Sequence, residues 1–217
     1  KIESFIPKSG RILDIGCGSG LSTLPFAKKG YSITGIDISR NLIKIAKINS
    51  KGHKKVRYII AKFENYKFEK NFDLIISGQA FHWLDKKIAY KKCSQILEKN
   101  GTLAIFGKFN DYKKSKFIYE LRKFFIKNCR YYPLDLRQNA YIKNYFSEIK
   151  SSMLFKNIIS KRYKHKINYS KKDYRNYILS NSWIIKLNDK QNKEVMKKID
   201  NLMNKYKWPM QIPFRTA

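Results

Sequence analysis

The sequence contains few cysteines, few histidines and no long apolar run. Its three cysteines among 217 residues, Cys17, Cys93 and Cys129, are widely spaced and form no CxxC pair. This usage disfavours a disulfide framework and a zinc site, and it favours a reducing, cytosolic setting. Because no run of eighteen apolar residues occurs, the sequence predicts no membrane-spanning helix. Hydrophobic residues make up 43% of the chain, which suffices for the core of one large domain or of one domain with an insertion.

Acidic residues are also scarce, with 16 Asp and Glu against 47 Lys and Arg and a formal charge of +31. Such a charge attracts nucleic acid and other polyanions. The lysines are, however, scattered along the whole chain and accompany many Ile, Asn, Tyr and Phe, the residues that AT-rich codons specify. The charge therefore has two interpretations: a field that recruits acidic ligands, and a bias of composition.

Apolar runs alternate with amphipathic segments through the first half of the chain. Strands are predicted at residues 11–14, 32–37, 56–60, 72–77, 102–106 and 158–169, and helices at 21–29, 40–48, 86–97, 171–179 and 189–206. Ser22 or Thr23, Ser39 and Asp85 are the expected helix N-caps. This alternation is typical of βαβ units and a parallel sheet.

Residues 110–150 break this pattern, because they are aromatic and basic and lack apolar strands. Helices are predicted within them at about 117–128 and 141–149. We therefore expect a helical substrate lid at 110–150, inserted into a Rossmann-like core at 1–109 and 151–217. The chain begins without Met and ends on what resembles the start of a strand, so we expect both ends, and that last strand, to be truncated.

The most informative motif is the run DIGCGSG at residues 14–20, directly after the first strand. Its three alternating glycines let the backbone approach a ligand that side chains would exclude. Asp37 closes the second strand, where an acidic residue can hold a ribose diol. Dinucleotide folds use GxGxxG, whereas this run is GxGxG preceded by an acid. The spacing therefore disfavours a nicotinamide dinucleotide.

Four segments, DIGCGSG at 14–20, GIDIS at 35–39, FDLII at 72–76 and LEKNG at 97–101, resemble in order and spacing the class I S-adenosylmethionine-dependent methyltransferases. The segment GQAFHW at 78–83 is similar to a type-11-like branch that includes relatives of trans-aconitate methyltransferase. The resemblance implies a doubly wound, mostly parallel, seven-stranded sheet with a helical insertion. It also implies S-adenosylmethionine as methyl donor and S-adenosylhomocysteine as product.

Specific residues take cofactor-binding roles from this resemblance. Gly16, Gly18 and the backbone around Cys17 would line the methionine part of the cofactor, with Asp14 near its amino group. Asp37 would bind the ribose hydroxyls.

The remaining implied contacts involve the adenine ring and the sulfonium. Ile38 would pack on the adenine, and Lys62 and Phe63 lie where the family's loop meets the adenine edge. Because a lysine side chain cannot accept a hydrogen bond from the adenine amino group, we expect the contact to come from the backbone N–H of Phe63. Ser77 and Gly78, at the end of the fourth strand, would face the sulfonium.

His82 is the leading candidate for a general base, because it follows the fourth strand beside the expected cofactor. The alternative is that His82 and Trp83 only anchor this loop. A sulfonium donor needs no general acid, and a carboxylate acceptor needs no base, whereas a hydroxyl acceptor can need one.

The aromatic residues that could form walls of an acceptor pocket are Phe81, Trp83 and Tyr112. The arginines that could clamp a carboxylate or phosphate, or remain surface charges, are Arg122, Arg130 and Arg137.

These features predict a methyltransferase that acts on a small-molecule acceptor, possibly acidic, at a carboxylate or hydroxyl oxygen. The charge of +31 suggests an RNA-directed methyltransferase as the alternative. Against this alternative, residues 77–80 read SGQA rather than the Asn/Asp-Pro-Pro-aromatic motif of enzymes that methylate exocyclic base nitrogens. A non-catalytic module that keeps the fold is a third hypothesis, and a nicotinamide dehydrogenase is disfavoured by the glycine spacing.

Overall fold

The computed structural model describes residues 2–132 and 138–216. The chain divides into two compact units, the sheet unit and the second unit. The sheet unit comprises residues 1–107 and 148–158, and the second unit comprises residues 108–147 and 159–217.

The sheet unit contains a five-stranded sheet in which every neighbouring pair is parallel. Its strands in chain order are β1 (Arg11–Ile15), β2 (Ser32–Asp37), β3 (Val56–Ile60), β4 (Phe72–Gly78) and β5 (Leu97–Phe106). Their spatial order is β3-β2-β1-β4-β5. The carboxyl ends of all five strands therefore lie along one edge of the sheet.

Apolar side chains on both faces hold this sheet in place. Leu74, Ile75 and Ile76 of β4 are fully buried, as expected of a parallel strand covered on both faces. Each such side chain contributes about 1.5–3 kcal/mol through burial. On one face, Ile12, Leu74 and Ile76 pack with Ile33 and Phe26 in a single cluster. The strand ends that carry the candidate site are thus held by a rigid core.

The helices of the sheet unit are α1 (Leu24–Ala27), α2 (Arg40–Asn49) and α3 (Lys86–Ile96). Ser39 and Asp85 cap α2 and α3 as predicted: the Ser39 hydroxyl accepts from the Leu42 N–H, and the Asp85 carboxylate accepts from the first N–H groups of α3. Short 3₁₀ turns occur at Glu3–Phe5, Phe63–Asn65 and Phe81–Trp83.

The second unit contains a separate antiparallel sheet and a group of helices. Its elements are β6 (Lys108–Asn110), α4 (Lys116–Asn128), α5 (Gln138–Ser152, whose last residues belong to the sheet unit), β7 (Tyr163–Tyr169), α6 (Lys171–Leu179), α7 (Ser182–Ile185), α8 (Asp189–Asn204) and β8 (Met210–Thr216). The sheet has the order β6-β8-β7. A core rich in aromatic residues joins α4, β7, α6, α7, α8 and β8, and Phe117 of α4 makes edge contacts with Tyr174 and Trp208.

The Rossmann-like α/β fold class predicted from the sequence is confirmed. The two units, however, divide the chain at other residues than the predicted core and insertion do. Residues 159–217 cluster with residues 108–147, because both supply side chains to one aromatic core. The expected division at 110 and 151 is therefore not the one that the structure shows. In place of one seven-stranded sheet, the described residues form a sheet of five strands and another of three. The strand predicted at 158–169 begins only at Tyr163.

Helix α1 is shorter than the predicted span of 21–29, and its expected cap is wrong. Thr23 makes no side-chain capping bond. Instead, the hydroxyls of Ser22 and Thr23 donate to Asp14, at 2.6 and 2.7 Å. A buried carboxylate therefore takes the hydroxyls that the local pattern assigned to the helix end. Every helix in the described part of the chain is too short or too polar to cross a bilayer.

Candidate functional site

The loops that follow β1, β2, β3 and β4 bring most of the predicted cofactor-binding residues to one edge of the sheet. β1 lies between β2 and β4, and the strand order reverses direction at this point. In open α/β sheets, ligands bind in the crevice at such a reversal. The loops are closely packed there, since a Cβ atom on Gly16 would lie 2.3 Å from that of Ala80.

Gly18 is the glycine of the DIGCGSG loop that leaves space open. Its φ is +53°, a conformation that other residues adopt only with strain. Among the described residues, the one atom within 4 Å of a Cβ atom there would be Leu42 Cδ1, at 3.9 Å. Gly18 therefore combines a conformational need for glycine with room for a ligand to approach the backbone.

Most N–H groups of this loop are already hydrogen-bonded within the protein. The N–H groups of Gly16 and Cys17 donate to the Ile36 carbonyl, at 2.8 and 3.2 Å. The Gly18 N–H donates to Asp37 Oδ2 at 2.9 Å, and the Gly20 N–H donates to the Cys17 carbonyl at 2.9 Å. A phosphate-binding loop must direct such N–H groups at its anion. This loop instead turns four of them inward.

Asp14 is fully buried beneath the loop. Its Oδ2 accepts both hydroxyl bonds from Ser22 and Thr23, whereas its Oδ1 has no hydrogen-bond partner among the residues that the structure describes. Burial raises the pKa of Asp14 to about 6, although the two hydroxyl bonds act in the opposite direction. A buried carboxylate with an unpaired oxygen is suited to a cation.

Asp37 lies at the carboxyl end of β2, as predicted for a ribose ligand. Its Oδ2 accepts from the Gly18 N–H, and its Oδ1 accepts from the Ser39 N–H at 2.8 Å. These bonds orient the carboxylate and link it to the glycine loop. Each oxygen keeps a second lone pair with which it can accept from a hydroxyl.

The residues predicted near the adenine lie beside Asp37. Ile38 is 74% exposed, which is unusual for an isoleucine and leaves an apolar surface for a ring to cover. Lys62 is exposed, whereas Phe63 is buried. The loop that they begin follows β3, whose last residue Ile60 pairs with Asp37.

Ser77 and Gly78 end β4, but the Ser77 side chain faces the protein interior and the α-carbon of Gly78 faces the ring of Phe106. The Ser77 side chain is fully buried, and its hydroxyl donates to the Ile15 carbonyl at 3.0 Å. A Cβ atom at Gly78 would lie 2.7 Å from the Phe106 ring. Contact with the sulfonium would therefore come from the backbone here, and this role remains a prediction.

Cys17 offers only its backbone to a ligand. Its side chain is buried, with Sγ 2.9 Å from the position of a Cβ atom on Gly35. Burial, and then the charges of Asp14 and Asp37, raise the pKa of its thiol far above the ordinary value. The thiol is therefore protonated and unreactive.

His82 lies in the 3₁₀ turn Phe81–Trp83, directly beyond β4. Phe81 is fully buried and packs on Tyr90 with ring centroids 5.1 Å apart, so Phe81 anchors the turn. The side chains of His82 and Trp83 are exposed, and their rings lie 4.8 Å apart. Loss of water around the ring, and then the charge of Lys86, lower the pKa of His82. The ring is therefore neutral at pH 7 and can accept a proton.

The other acceptor-site candidates belong to the second unit. The Arg122 guanidinium lies over the Tyr112 ring at 4.6 Å, so these two residues bind each other. Arg130 is exposed, and Arg137 lies outside the described residues. The clamp predicted from these arginines thus remains a prediction.

Sequence reasoning missed three residues that support the site. Ser22 and Thr23 hold Asp14, and Lys92 of α3 donates to three backbone carbonyls of the loop after β3. The spacing of Ser22 and Thr23, eight and nine residues after Asp14, could have indicated that their hydroxyls bond to that carboxylate. No local signal marks Lys92, because its partners are backbone atoms of a distant loop.

The residues present fit S-adenosylmethionine. Asp14 Oδ1 suits an ammonium group, the space at Gly18 admits a ligand, and Ile38 offers an apolar surface to a base. The carboxylates of Asp14 and Asp37 complement the positive charge of an amino group and a sulfonium. A pyrophosphate would meet the same two carboxylates and would find four loop N–H groups already bonded.

Comparisons with known proteins find methyltransferases among the proteins similar to this chain. Residues 13–105 match a family model described as a methyltransferase domain. The chain is 39% identical over 100 residues to the ubiquinone biosynthesis O-methyltransferase of Pelagibacter ubique, a match that covers 45% of this chain and 42% of that protein. It is 30% identical over 129 residues to malonyl-[acyl-carrier protein] O-methyltransferase 1 of Ilyobacter polytropus, covering 57% and 46%.

A solved structure extends the likeness in fold. The MccD protein aligns with a TM-score of 0.58 at 22% identity, covering 99% of this chain and 92% of that one. The chain spans less than half the length of the two curated relatives. These matches do not single out the branch of the trans-aconitate methyltransferases. They show that residues 13–105 are similar to a methyltransferase domain.

Proposed function

We propose that this protein transfers the methyl group of S-adenosylmethionine to an oxygen atom of a small-molecule acceptor. The observation that carries the proposal is the glycine loop, whose N–H groups are bonded internally while Asp14 and Asp37 flank it. This arrangement selects a cationic amino-acid nucleoside over a dinucleotide. The choice of oxygen is supported by the names of the two curated relatives, both of which are O-methyltransferases.

The chain's residues have defined roles in this proposal. The bound cofactor would supply a methyl group on a positively charged sulfur, and that sulfur is the leaving group of the transfer. Asp14 holds the amino group, Asp37 the ribose, and Ile38 the adenine face. Because the donor is already activated, alignment of the acceptor and exclusion of water supply most of the rate acceleration.

His82 is the proposed general base when the acceptor is a hydroxyl. Its lowered pKa keeps the ring neutral near pH 7, and its exposure at the end of β4 leaves it accessible to an acceptor. A carboxylate acceptor is already ionised at this pH and needs no base. The effect of a His82 substitution on the rate of methyl transfer therefore distinguishes a hydroxyl acceptor from a carboxylate acceptor. We also propose that residues 110–150 select the acceptor.

The test is transfer of a labelled methyl group to a panel of small phenols, alcohols and carboxylic acids, with products identified by mass spectrometry. A methyl ether or a methyl ester is expected. For a hydroxyl acceptor, His82→Gln should lower kcat by about 10²–10⁴-fold, the usual contribution of general base catalysis. His53→Gln is the matched control and should leave kcat unchanged. Methylation of nitrogen or carbon, or no transfer to any panel member by protein that binds the cofactor, would refute the proposal.

The RNA-directed alternative gains no support from the relatives named above. The charge of +31 is its only motivation, and the end of β4 lacks the motif of base-nitrogen methylation. A non-catalytic module is excluded if the same labelled assay yields product. A cytoplasmic location remains a prediction.

A further inference from the structure

One lysine of α3 is bonded to the loop at residues 62–66, which we name the adenine loop. Lys92 Nζ donates to the carbonyl oxygens of Phe63 at 2.6 Å, Glu64 at 3.0 Å and Tyr66 at 2.5 Å. An ammonium group has three N–H donors. All three are therefore used on carbonyl groups within residues 63–66 of one loop.

A second bond attaches the same loop to the start of the same helix. Glu64 Oε1 accepts from the N–H of Asp85, the N-cap of α3, at 3.0 Å. The ring centroids of Phe63 and Phe68 lie 5.0 and 5.6 Å from Lys92 Nζ. The adenine loop is thus held at the N-cap of α3 and again about two turns along the helix.

This placement is unusual for a lysine. Surface lysines normally keep the ammonium group in water, and burial here lowers the pKa of Lys92. The three carbonyl bonds offset that cost. A lysine used only for solubility or packing would need none of them, so the arrangement indicates that the loop backbone must adopt one conformation.

The adenine loop begins beside the ribose-binding position. Ile60, the last residue of β3, pairs with Asp37, and the Ala61 N–H donates to the Asp37 carbonyl at 3.1 Å. A base attached to a ribose on Asp37 therefore reaches the backbone that follows Ala61. Adenine accepts at N1 and donates from its 6-amino group, so a fixed backbone can recognise that edge.

We propose that Lys92 is a positioning residue that fixes the backbone of the adenine loop, so that the Phe63 N–H recognises the adenine edge. This inference rests on the proposed function, because it requires S-adenosylmethionine as the ligand. It predicts that Lys92 determines discrimination between bases, beyond any effect on overall affinity.

The test compares S-adenosylhomocysteine with S-inosylhomocysteine, in which N1 carries a proton and position 6 is a carbonyl. Dissociation constants are measured by calorimetry for the wild type, Lys92→Met and Lys91→Met. Methionine keeps an unbranched stem against the aromatic rings and removes all three donors. Lys91→Met removes the same charge from an exposed neighbour on the same helix.

The wild type should prefer the adenosine ligand by about tenfold or more, the ratio expected when one polar contact is replaced by a mismatch. Lys92→Met should reduce that preference to less than about threefold, and Lys91→Met should keep it. An unchanged preference in Lys92→Met, or equal binding of both ligands by the wild type, overturns the inference but leaves the proposed function standing. Failure of the wild type to bind S-adenosylhomocysteine overturns both.

A measurement on the wild type covers the case in which Lys92→Met does not fold. The rate of lysine acetylation by acetic anhydride is followed residue by residue with mass spectrometry. Lys92 should react at least about tenfold more slowly than Lys91, and S-adenosylhomocysteine should slow Lys92 further while leaving Lys91 unchanged. Equal rates for the two lysines, or no effect of the ligand on Lys92, contradict the inference.

Discussion

We expect Asp14 to make cofactor binding dependent on pH, and Asp14→Asn to remove that dependence. The Asp14 carboxyl is fully buried, with one oxygen bonded to two hydroxyls and the other unpaired among the described residues. Burial is the main reason that its pKa rises from 3.8 to about 6, and the charge of Asp37 adds to it. The ligand-free fold therefore favours the protonated form, whereas an ammonium ligand favours the carboxylate.

The size of the effect follows from the shift in pKa. A rise of about two pKa units corresponds to about 3 kcal/mol. Between about pH 4 and 6 the folded chain binds more protons than the unfolded chain, so the free energy of unfolding falls as pH rises. Above about pH 6 the free energy of unfolding no longer falls on account of Asp14. A cation that pairs with Asp14 Oδ1 would restore part of the stability lost.

Calorimetric titration with S-adenosylhomocysteine at pH 5, 6 and 7 measures the consequence for binding. With a pKa of about 6, the carboxylate is about one-tenth ionised at pH 5 and nine-tenths ionised at pH 7. The dissociation constant should therefore be about tenfold higher at pH 5. The ammonium and carboxylate of the ligand keep their charges throughout this range.

Asp14→Asn should bind about 10- to 100-fold more weakly at pH 7, because a hydrogen bond to a charged group contributes about 1.5–3 kcal/mol. Its dissociation constant should not change between pH 5 and 7. Asp189→Asn, which alters an exposed acid at the start of α8, should keep the wild-type slope. The reasoning is refuted if the wild type shows less than a twofold change, or if Asp14→Asn keeps the slope.

Three further changes test other parts of the site. Thr23→Val removes one of the two hydroxyl bonds that lower the pKa of Asp14, so the midpoint of pH-dependent binding should move upward; an unmoved midpoint would show that this hydroxyl is irrelevant. Ile38→Gln alters an exposed side chain, so stability in thermal unfolding should change by less than about 0.5 kcal/mol while the cofactor dissociation constant rises about tenfold; a matching loss of both would contradict the predicted adenine contact. Gly18→Val forces a branched residue to a φ of +53° and fills open space, so it should cost about 1–2 kcal/mol of stability and abolish measurable cofactor binding; retained binding would exclude a ligand at Gly18.

The strands at the site could be predicted because their burial follows from composition. Segments rich in β-branched and apolar residues at 32–37 and 56–60 correspond to β2 and β3 without error. β2 is mostly buried inside the sheet, whereas β3 lies at its edge, carries Arg57 and is only partly buried. Ser39 and Asp85 were predicted as caps because each immediately precedes an amphipathic run and its partners are the next few N–H groups. In both cases the deciding interactions are local or follow from burial alone.

The features that could not be predicted depend on distant parts of the chain. Ser22 and Thr23 were expected to cap α1, but the buried Asp14 competes for their hydroxyls and leaves α1 four residues long. The three-stranded sheet joins residues 108–110, 163–169 and 210–216, and no sequence period records such a pairing. Lys92 bonds to backbone carbonyls 26–29 residues away, and carbonyls carry no residue identity.

The charge of the whole chain and the charge of the site act on different ligands. Across the protein, 47 basic residues face 16 acidic ones, yet the glycine loop is flanked by Asp14 and Asp37. We therefore expect the global field to attract an acidic acceptor, and the two carboxylates to favour a cationic cofactor. Exposed charges are screened over about 10 Å at 0.1 M salt, whereas buried pairs are screened much less. Raising salt from 50 to 300 mM should thus increase KM for an acidic acceptor several-fold and leave the dissociation constant of S-adenosylhomocysteine within about twofold. A cofactor affinity that falls as steeply as acceptor affinity would show that the buried carboxylates do not govern cofactor binding.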